Sequence, residues 1–259
     1  MHRSLIARFQ QGYRTHRFPK EAPTLPPLYR GLPIINAARC RAECTQCLDV
    51  CPTDAISIES DNPRVDLGRC LFCGRCEEVC PTDALTFGRD YRLACNRRQG
   101  LVVGDNEADR SALVETASRI FRRSLRLRQV SAAGCNACEA DTNVLGTLTF
   151  DLGRFGIQFV ASPRHADGIL VTGPVSENMA LALHKTLNAV PAPRVVIAVG
   201  ACAISGGPFR GHDEVLNGIS DILPVDLYIP GCPPSPWTIL DGLLRMLGVE
   251  TPRPKAADR

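Results

Sequence analysis

No stretch of this 259-residue chain approaches the roughly 18 uninterrupted apolar residues of a membrane-spanning helix. Its first residues, Met1-His2-Arg3-Ser4-Leu5-Ile6-Ala7-Arg8-Phe9, contain no apolar core long enough for a secretory signal. Net charge is also scarce: 30 basic and 27 acidic residues leave +3, which calls for no nucleic-acid partner. These absences predict a cytoplasmic chain whose membrane contact is peripheral. In that reducing compartment a disulfide framework is excluded, and thirteen cysteines point to metal or redox chemistry.

Basic residues are unevenly spread. Residues 1–30 hold six (Arg3, Arg8, Arg14, Arg17, Lys20, Arg30) against the single acid Glu21. Such an arm is either a solvated, partly disordered segment or one that lies on a partner subunit or an anionic membrane surface.

Eight of the thirteen cysteines fall between positions 40 and 80, and a repeat organises them. Cys51-Pro52-Thr53-Asp54-Ala55-Ile56 recurs 29 residues later as Cys80-Pro81-Thr82-Asp83-Ala84-Leu85, and Cys44 and Cys47 recur as Cys73 and Cys76. A repeat this regular marks a duplicated supersecondary unit. The runs at 55–59 and 84–87 read as short strands, with a turn at Asp61-Asn62-Pro63. Cys70-x2-Cys73-x2-Cys76-x3-Cys80-Pro81 has the bacterial ferredoxin spacing, in which three close thiolates wrap one cubane and the fourth reaches the other. That logic assigns Cys70, Cys73, Cys76 and Cys51 to one [4Fe–4S] cluster, and Cys40, Cys44, Cys47 and Cys80 to a second. Zinc needs only four ligands, usually as two separated pairs, and fits the duplicated triplets poorly. The first repeat departs from the pattern: Arg41 stands where the upstream cysteine is expected, and Cys40 lies one residue earlier. One extra loop residue costs little closure entropy, so Cys40 is still expected to ligate.

After Cys95, residues 96–106 read as a connector. Leu113, Ala117, Ile120 and Phe121 then recur at helical spacing, as in a surface helix or a docking helix. From 129 the chain alternates strands (156–160, 168–172, 194–199, 226–229) with helices (176–190, 235–247). The expected architecture is an α+β ferredoxin-like domain for two clusters, residues 31–95, followed by a doubly wound α/β, flavodoxin-like domain, residues 129–250. The tail is 251–259. Cys135-x2-Cys138, Cys202 and Cys232 stand beside glycines, on loops that would converge beyond the carboxyl ends of the strands. They are candidates for a third [4Fe–4S] cluster, although two lone cysteines and one pair can also be core residues.

The stretch from Tyr29-Arg30-Gly31 through Cys70-Leu71-Phe72-Cys73-Gly74-Arg75-Cys76-Glu77-Glu78-Val79-Cys80-Pro81-Thr82 resembles the ferredoxin-like subunit of formate hydrogenlyase and related membrane-bound hydrogenases. Residues 126–247 resemble the small subunit of group 4 [NiFe] hydrogenases, itself similar to the cluster-bearing 20 kDa subunit of respiratory complex I. That likeness rests on Gly134-Cys135-Asn136-Ala137-Cys138, Ser162-Pro163-Arg164-His165-Ala166-Asp167, Thr172-Gly173-Pro174-Val175, Gly200-Ala201-Cys202 and Pro230-Gly231-Cys232-Pro233-Pro234. The complex I subunit has adjacent first ligands, whereas Cys135 and Cys138 are separated by two residues, as on the hydrogenase side.

What the resemblance implies is a fusion of two neighbouring subunits with three [4Fe–4S] clusters. A nickel-binding large subunit would be the partner, with membrane subunits of the same complex and formate dehydrogenase or another electron donor beyond it. The set Cys135, Cys138, Cys202 and Cys232 would lie nearest the partner's metal. Glu139, with Asp141, would sit beside it, either as a proton relay or paired with an arginine. Attachment to the inner face of the cell membrane would run through the partner subunits. The competing readings are a nickel-free relative handling a quinone, a stand-alone carrier and a zinc module. Cys95 is expected to be an inert buried thiol, Trp237 a core residue, and His165, His184 and His212 structural hydrogen-bonding residues.

Overall fold

The computed structural model describes residues 2–59, 62–104, 120–121 and 124–254. The helical pattern through Leu113 and Ala117 lies outside the described residues; at its end Phe121 is buried and Ile120 half exposed. In chain order the named elements are α1 (His2–Gln11), β1 (Pro33–Ile35), α2 (Gln46–Asp49), β2 (Ile56–Glu59), β3 (Asn62–Asp66), α3 (Arg75–Glu78), β4 (Leu85–Phe87), β5 (Val102–Val103), β6 (Leu125–Ser131), α4 (Ala137–Val144), β7 (Ile157–Phe159), β8 (Gly168–Thr172), α5 (Glu177–Ala189), β9 (Val195–Val199), α6 (Ala201–Ser205), β10 (Leu227–Ile229) and α7 (Pro236–Met246).

The duplication is visible in backbone geometry. Asp54 and Asp83 both take positive φ, 49° and 50°, as do Glu43 and Phe72, 60° and 54°. Each pair is 29 residues apart, so both copies turn the chain the same way. Aspartate tolerates that left-handed conformation better than most residues, because its short polar side chain hydrogen-bonds locally. β1 and β4 pair antiparallel, and β2, β3 and β5 form a second antiparallel sheet. The connector read at 96–106 therefore supplies a strand, β5, and Leu101 is fully buried. Arg98 closes this end with two donors to the Asp66 carboxylate, at 2.8 and 2.6 Å.

The second half is a five-stranded parallel sheet in the order β10-β9-β8-β6-β7. Counted within this half the order is 5-4-3-1-2, a doubly wound arrangement whose direction reverses between β6 and β8. β8 and β9 are buried at every position, as an unbroken apolar run in a covered parallel sheet requires. α7 begins at Pro236, with Ser235 Oγ accepting from the Trp237 N–H at 3.2 Å.

The halves share a core. Cys95 pairs its N–H and C=O with Tyr228 at the β10 edge, at 3.0 and 2.8 Å. Ala94 packs where a side chain on Gly242 would stand, and Ser205 donates to the Gly68 carbonyl at 2.8 Å. Ser205 is buried, so Ser205→Ala leaves that carbonyl without its hydroxyl donor and is expected to lower stability by about 1–3 kcal/mol. A thermal unfolding scan unchanged by the substitution would show that the halves do not depend on this bond.

The basic arm is not a free segment throughout. Phe18 and Leu25 are buried, Arg154 donates to the carbonyls of His16 and Phe18 at 2.8 Å, and Arg89 donates to those of Leu25 and Pro26. The C-terminal tail is likewise fixed as far as Pro252, whose carbonyl accepts from Tyr91. Among the described residues, no helix is long and apolar enough to cross a membrane.

Candidate metal centres

All thirteen cysteines are thiols, and twelve gather in three sets. Cys40, Cys44, Cys47 and Cys80 line one small cavity, with Pro63, Thr82 and Leu85 around them. Cys51, Cys70, Cys73 and Cys76 line a second, closed by Ile56, Val65 and Phe87. In each, three cysteines come from one copy of the repeat and the Cys-Pro cysteine from the other. The thirteenth, Cys95, is buried with Sγ against Gly100.

These cavities suit iron–sulfur ligation by donor chemistry and by outer hydrogen bonding. Main-chain N–H groups point at cysteine sulfurs at equivalent places in both copies: Ala55 to Cys51 and Ala84 to Cys80, each at 3.2 Å, with Phe72 to Cys70 at 3.3 Å. Such donors stabilise charge on thiolate sulfur. Burial pushes the Cys70 thiol up to about 12 and Cys76 to about 11, with neighbouring cysteines adding to both. Cys80 moves the other way. Burial raises it, but donors from Thr82, Leu85 and Ala84 outweigh burial and leave it below its ordinary value. Thiols such as Cys70 and Cys76 hold their protons at neutral pH, and a metal bound there would have to displace them.

The third set is built by loops at the carboxyl edge of the parallel sheet. Cys135 and Cys138 follow β6, Cys202 follows β9 and Cys232 follows β10. The β9 and β10 loops are tied by Gly200 N–H to Ile229 C=O and Ala201 N–H to Gly231 C=O, both 2.8 Å. Gly200 has φ 91° and ψ 156°, and a Cβ there would stand 2.5 Å from Cys138 Sγ. A Cβ on Gly207 would stand 2.8 Å from Cys202 Sγ. These two glycines make the cradle into which the sulfurs fit. Burial raises Cys138, and the charges of Cys202, Glu139, Cys232 and Cys135 raise it further; Cys202 is pushed up to about 12. Cys135 and Cys232 are exposed, so this cradle opens to the surface on one side.

Glu139 is buried, and its Oε1 accepts from Ser131 Oγ at 2.5 Å and Thr172 Oγ1 at 2.6 Å. Its partners are hydroxyls at the ends of β6 and β8, and among the described residues no arginine pairs with it. Asp141 lines a cleft of about 470 Å³ together with Cys232, Leu71 and Phe72, and burial raises its carboxyl. Leu71 and Phe72 lie between Cys70 and Cys73, so this cleft joins the second set to the third. Trp237 stands at its wall, with Phe150 and Phe18 rings at 4.5 and 5.5 Å. The histidines are not the structural pieces expected: His165, His184 and His212 are all exposed, and His212 accepts one long bond from Glu214 N–H at 3.5 Å.

Paired four-cysteine cavities beside a parallel sheet with cysteines on its carboxyl-terminal loops define an iron–sulfur protein with two parts. Residues 39–84 match the 4Fe-4S dicluster domain, and residues 135–246 match the family described as NADH ubiquinone oxidoreductase, 20 Kd subunit. The chain belongs to that 20 Kd subunit family through its second half. The B-type subunit of NADH-quinone oxidoreductase from Bacteroides thetaiotaomicron is 45% identical over 112 residues, which are 43% of this chain and 57% of that one. The corresponding NADH-quinone oxidoreductase subunit of Roseiflexus sp. is 47% identical over 114 residues, 44% of this chain and 42% of its own. An uncharacterised protein of Methanocaldococcus jannaschii is 41% identical over 129 residues, 49% of this chain and 86% of the relative. The chain thus spans 57% or less of the two NADH-quinone oxidoreductase relatives. A chain of the membrane-bound sulfane sulfur reductase, an archaeal respiratory membrane complex, aligns at 32% identity with a TM-score of 0.45, covering 51% of this chain and 72% of that one.

Proposed function

We propose that this chain is an electron-transfer subunit of a membrane-associated oxidoreductase, with three [4Fe–4S] clusters on the three cysteine sets. The observation that carries the reading is the third set: Cys138 and Cys202 are sunk against Gly200 and Gly207, while Cys135 and Cys232 are exposed. A four-thiol cradle open on one side is a site that a second subunit closes. When bound, the clusters supply one-electron redox steps. The chain's own contribution is to space the three sets in the order 40/44/47/80, 51/70/73/76, 135/138/202/232, to bury or half-bury nine of the twelve cysteines and to aim N–H donors at their sulfurs. The cleft between Phe72 and Cys232 supports that order.

The finer reading is the iron–sulfur subunit of a group 4 [NiFe] hydrogenase or formate hydrogenlyase-like complex. It rests on the two-residue gap between Cys135 and Cys138 and on the fused ferredoxin-type half. The nickel would lie in the partner's large subunit, and Glu139, held by two hydroxyls, would pass protons toward it. Attachment to the inner face of the cell membrane would run through the partner subunits. The second reading, a nickel-free quinone oxidoreductase subunit, is favoured by the names of the two NADH-quinone oxidoreductase relatives. Purifying the tagged chain anaerobically with its partners decides between them. A nickel-containing large subunit and hydrogen-dependent viologen reduction are expected. A complex that reduces quinone but ignores hydrogen supports the second reading, and a chain that purifies alone overturns both.

A further inference from the structure

Helix α1 carries an apolar face that no part of the described chain covers. Leu5, Ile6 and Phe9 are 57%, 53% and 89% exposed, and Tyr13, just past the turn at Gly12, is 79% exposed. At 100° per residue, Leu5, Ile6 and Phe9 fall within an arc of about 100°. None of the four belongs to either buried core. A helix of ten residues is marginal in water by itself, so its face needs something to rest on.

The charges say what. Arg3 and Arg8 border the apolar arc and are exposed, and Arg8 stacks on the Tyr13 ring at 4.3 Å. Arg14 follows, and no acid precedes Glu21, which is paired with Arg17 at 3.3 Å. Among the described residues the arm is fastened to the body behind this segment: His16 N–H bonds Thr149 C=O at 2.9 Å, and Phe18 is buried. Leu148, beside that anchor, is itself 74% exposed. An apolar stripe edged by arginines, with an aromatic ring under one of them, matches a surface that is apolar below and anionic above.

We propose that α1 lies in the headgroup boundary of an anionic membrane, with Leu5, Ile6, Phe9 and Tyr13 toward the acyl chains and Arg3, Arg8 and Arg14 on lipid phosphates. This gives the chain a lipid contact of its own, besides any made by partner subunits, and does not depend on the electron-transfer reading. The test is sedimentation of the full chain, purified with its iron, with vesicles of phosphatidylcholine mixed with phosphatidylglycerol and with vesicles of phosphatidylcholine alone.

Binding is expected to the anionic vesicles only, and to fall as salt is raised. Phe9→Ser is expected to weaken it about tenfold, from the loss of a buried aromatic. The double variant R3Q/R8Q should weaken it by about tenfold or more, from two lost basic contacts. Unchanged iron content in each variant shows that the body of the protein is intact. Equal binding to both kinds of vesicle, or wild-type binding by Phe9→Ser, overturns the proposal. So does failure to bind either vesicle, which is the result for a helix that docks on a protein instead.

Discussion

Cys138→Ser is expected to remove about four of about twelve irons per chain and to abolish electron exchange with a partner subunit. Cys138 is half-buried in the third set, packed on Gly200 and within electrostatic reach of Cys135, Cys202 and Cys232. A serine hydroxyl is close in shape but is a hard, weakly acidic donor, and the soft thiolate that iron–sulfur clusters select is gone. The two ferredoxin-type sites share no ligand with this set, so their iron and spectra should survive. Iron analysis with electron paramagnetic resonance of the reduced protein reads both effects. Full iron in Cys138→Ser would dismiss the four-cysteine assignment. Complete loss of iron would show that the three sites do not load independently. Cys95→Ser is the matched control, expected to keep every iron because its sulfur packs against Gly100 and lines neither ferredoxin-type cavity.

Legibility from sequence follows the range of the interactions. The strand over 168–172 and the helix over 177–189 are plain, since five consecutive buried positions and a Ser176-Glu177 start are local signals. The repeat is plainer still, because an offset of 29 between cysteines carries the paired turns at Asp54 and Asp83 with it. β6 carries a local signal at its start, where Leu125 and Leu127 alternate with Arg126 and Arg128, but the run continues an arginine-rich segment at helical spacing that obscures the boundary. α4 is short and mostly polar, and it starts from Asn136 in the left-handed region, so no periodicity announces it. The partners of Glu139 are out of reach for another reason. Ser131 and Thr172 come from the ends of two strands, and only the parallel pairing of β6 with β8 brings them to one carboxylate. The cleft joining Phe72 to Cys232 depends on docking of the two halves through Cys95, Ser205 and Gly68, which no local pattern encodes.

Gly200→Ala is expected to cost the third cluster while adding a single methyl group. Two effects act at this position. Its φ of 91° with ψ of 156° lies in a region that is essentially glycine's own, and forcing alanine there costs about 1–3 kcal/mol. The new Cβ also falls 2.5 Å from Cys138 Sγ, closer than such atoms approach. The loop cannot easily withdraw, because Gly200 N–H and Ala201 N–H are both held by the β10 end. The sulfur must therefore move, and a displaced ligand opens the set. Iron is expected to fall by about a third, as in Cys138→Ser, with a lower unfolding temperature besides. Gly153→Ala, where an added Cβ meets nothing within 4 Å, should change stability by no more than about 0.5 kcal/mol and leave iron untouched. Adding Cys138→Ala to Gly200→Ala separates the two effects. The clash disappears with the sulfur, so the pair should be less destabilised than the sum of the single variants, by about 0.5–3 kcal/mol of coupling. Strict additivity would mean that backbone strain alone limits this glycine, and full iron in Gly200→Ala would mean that the cradle does not set the position of the ligand.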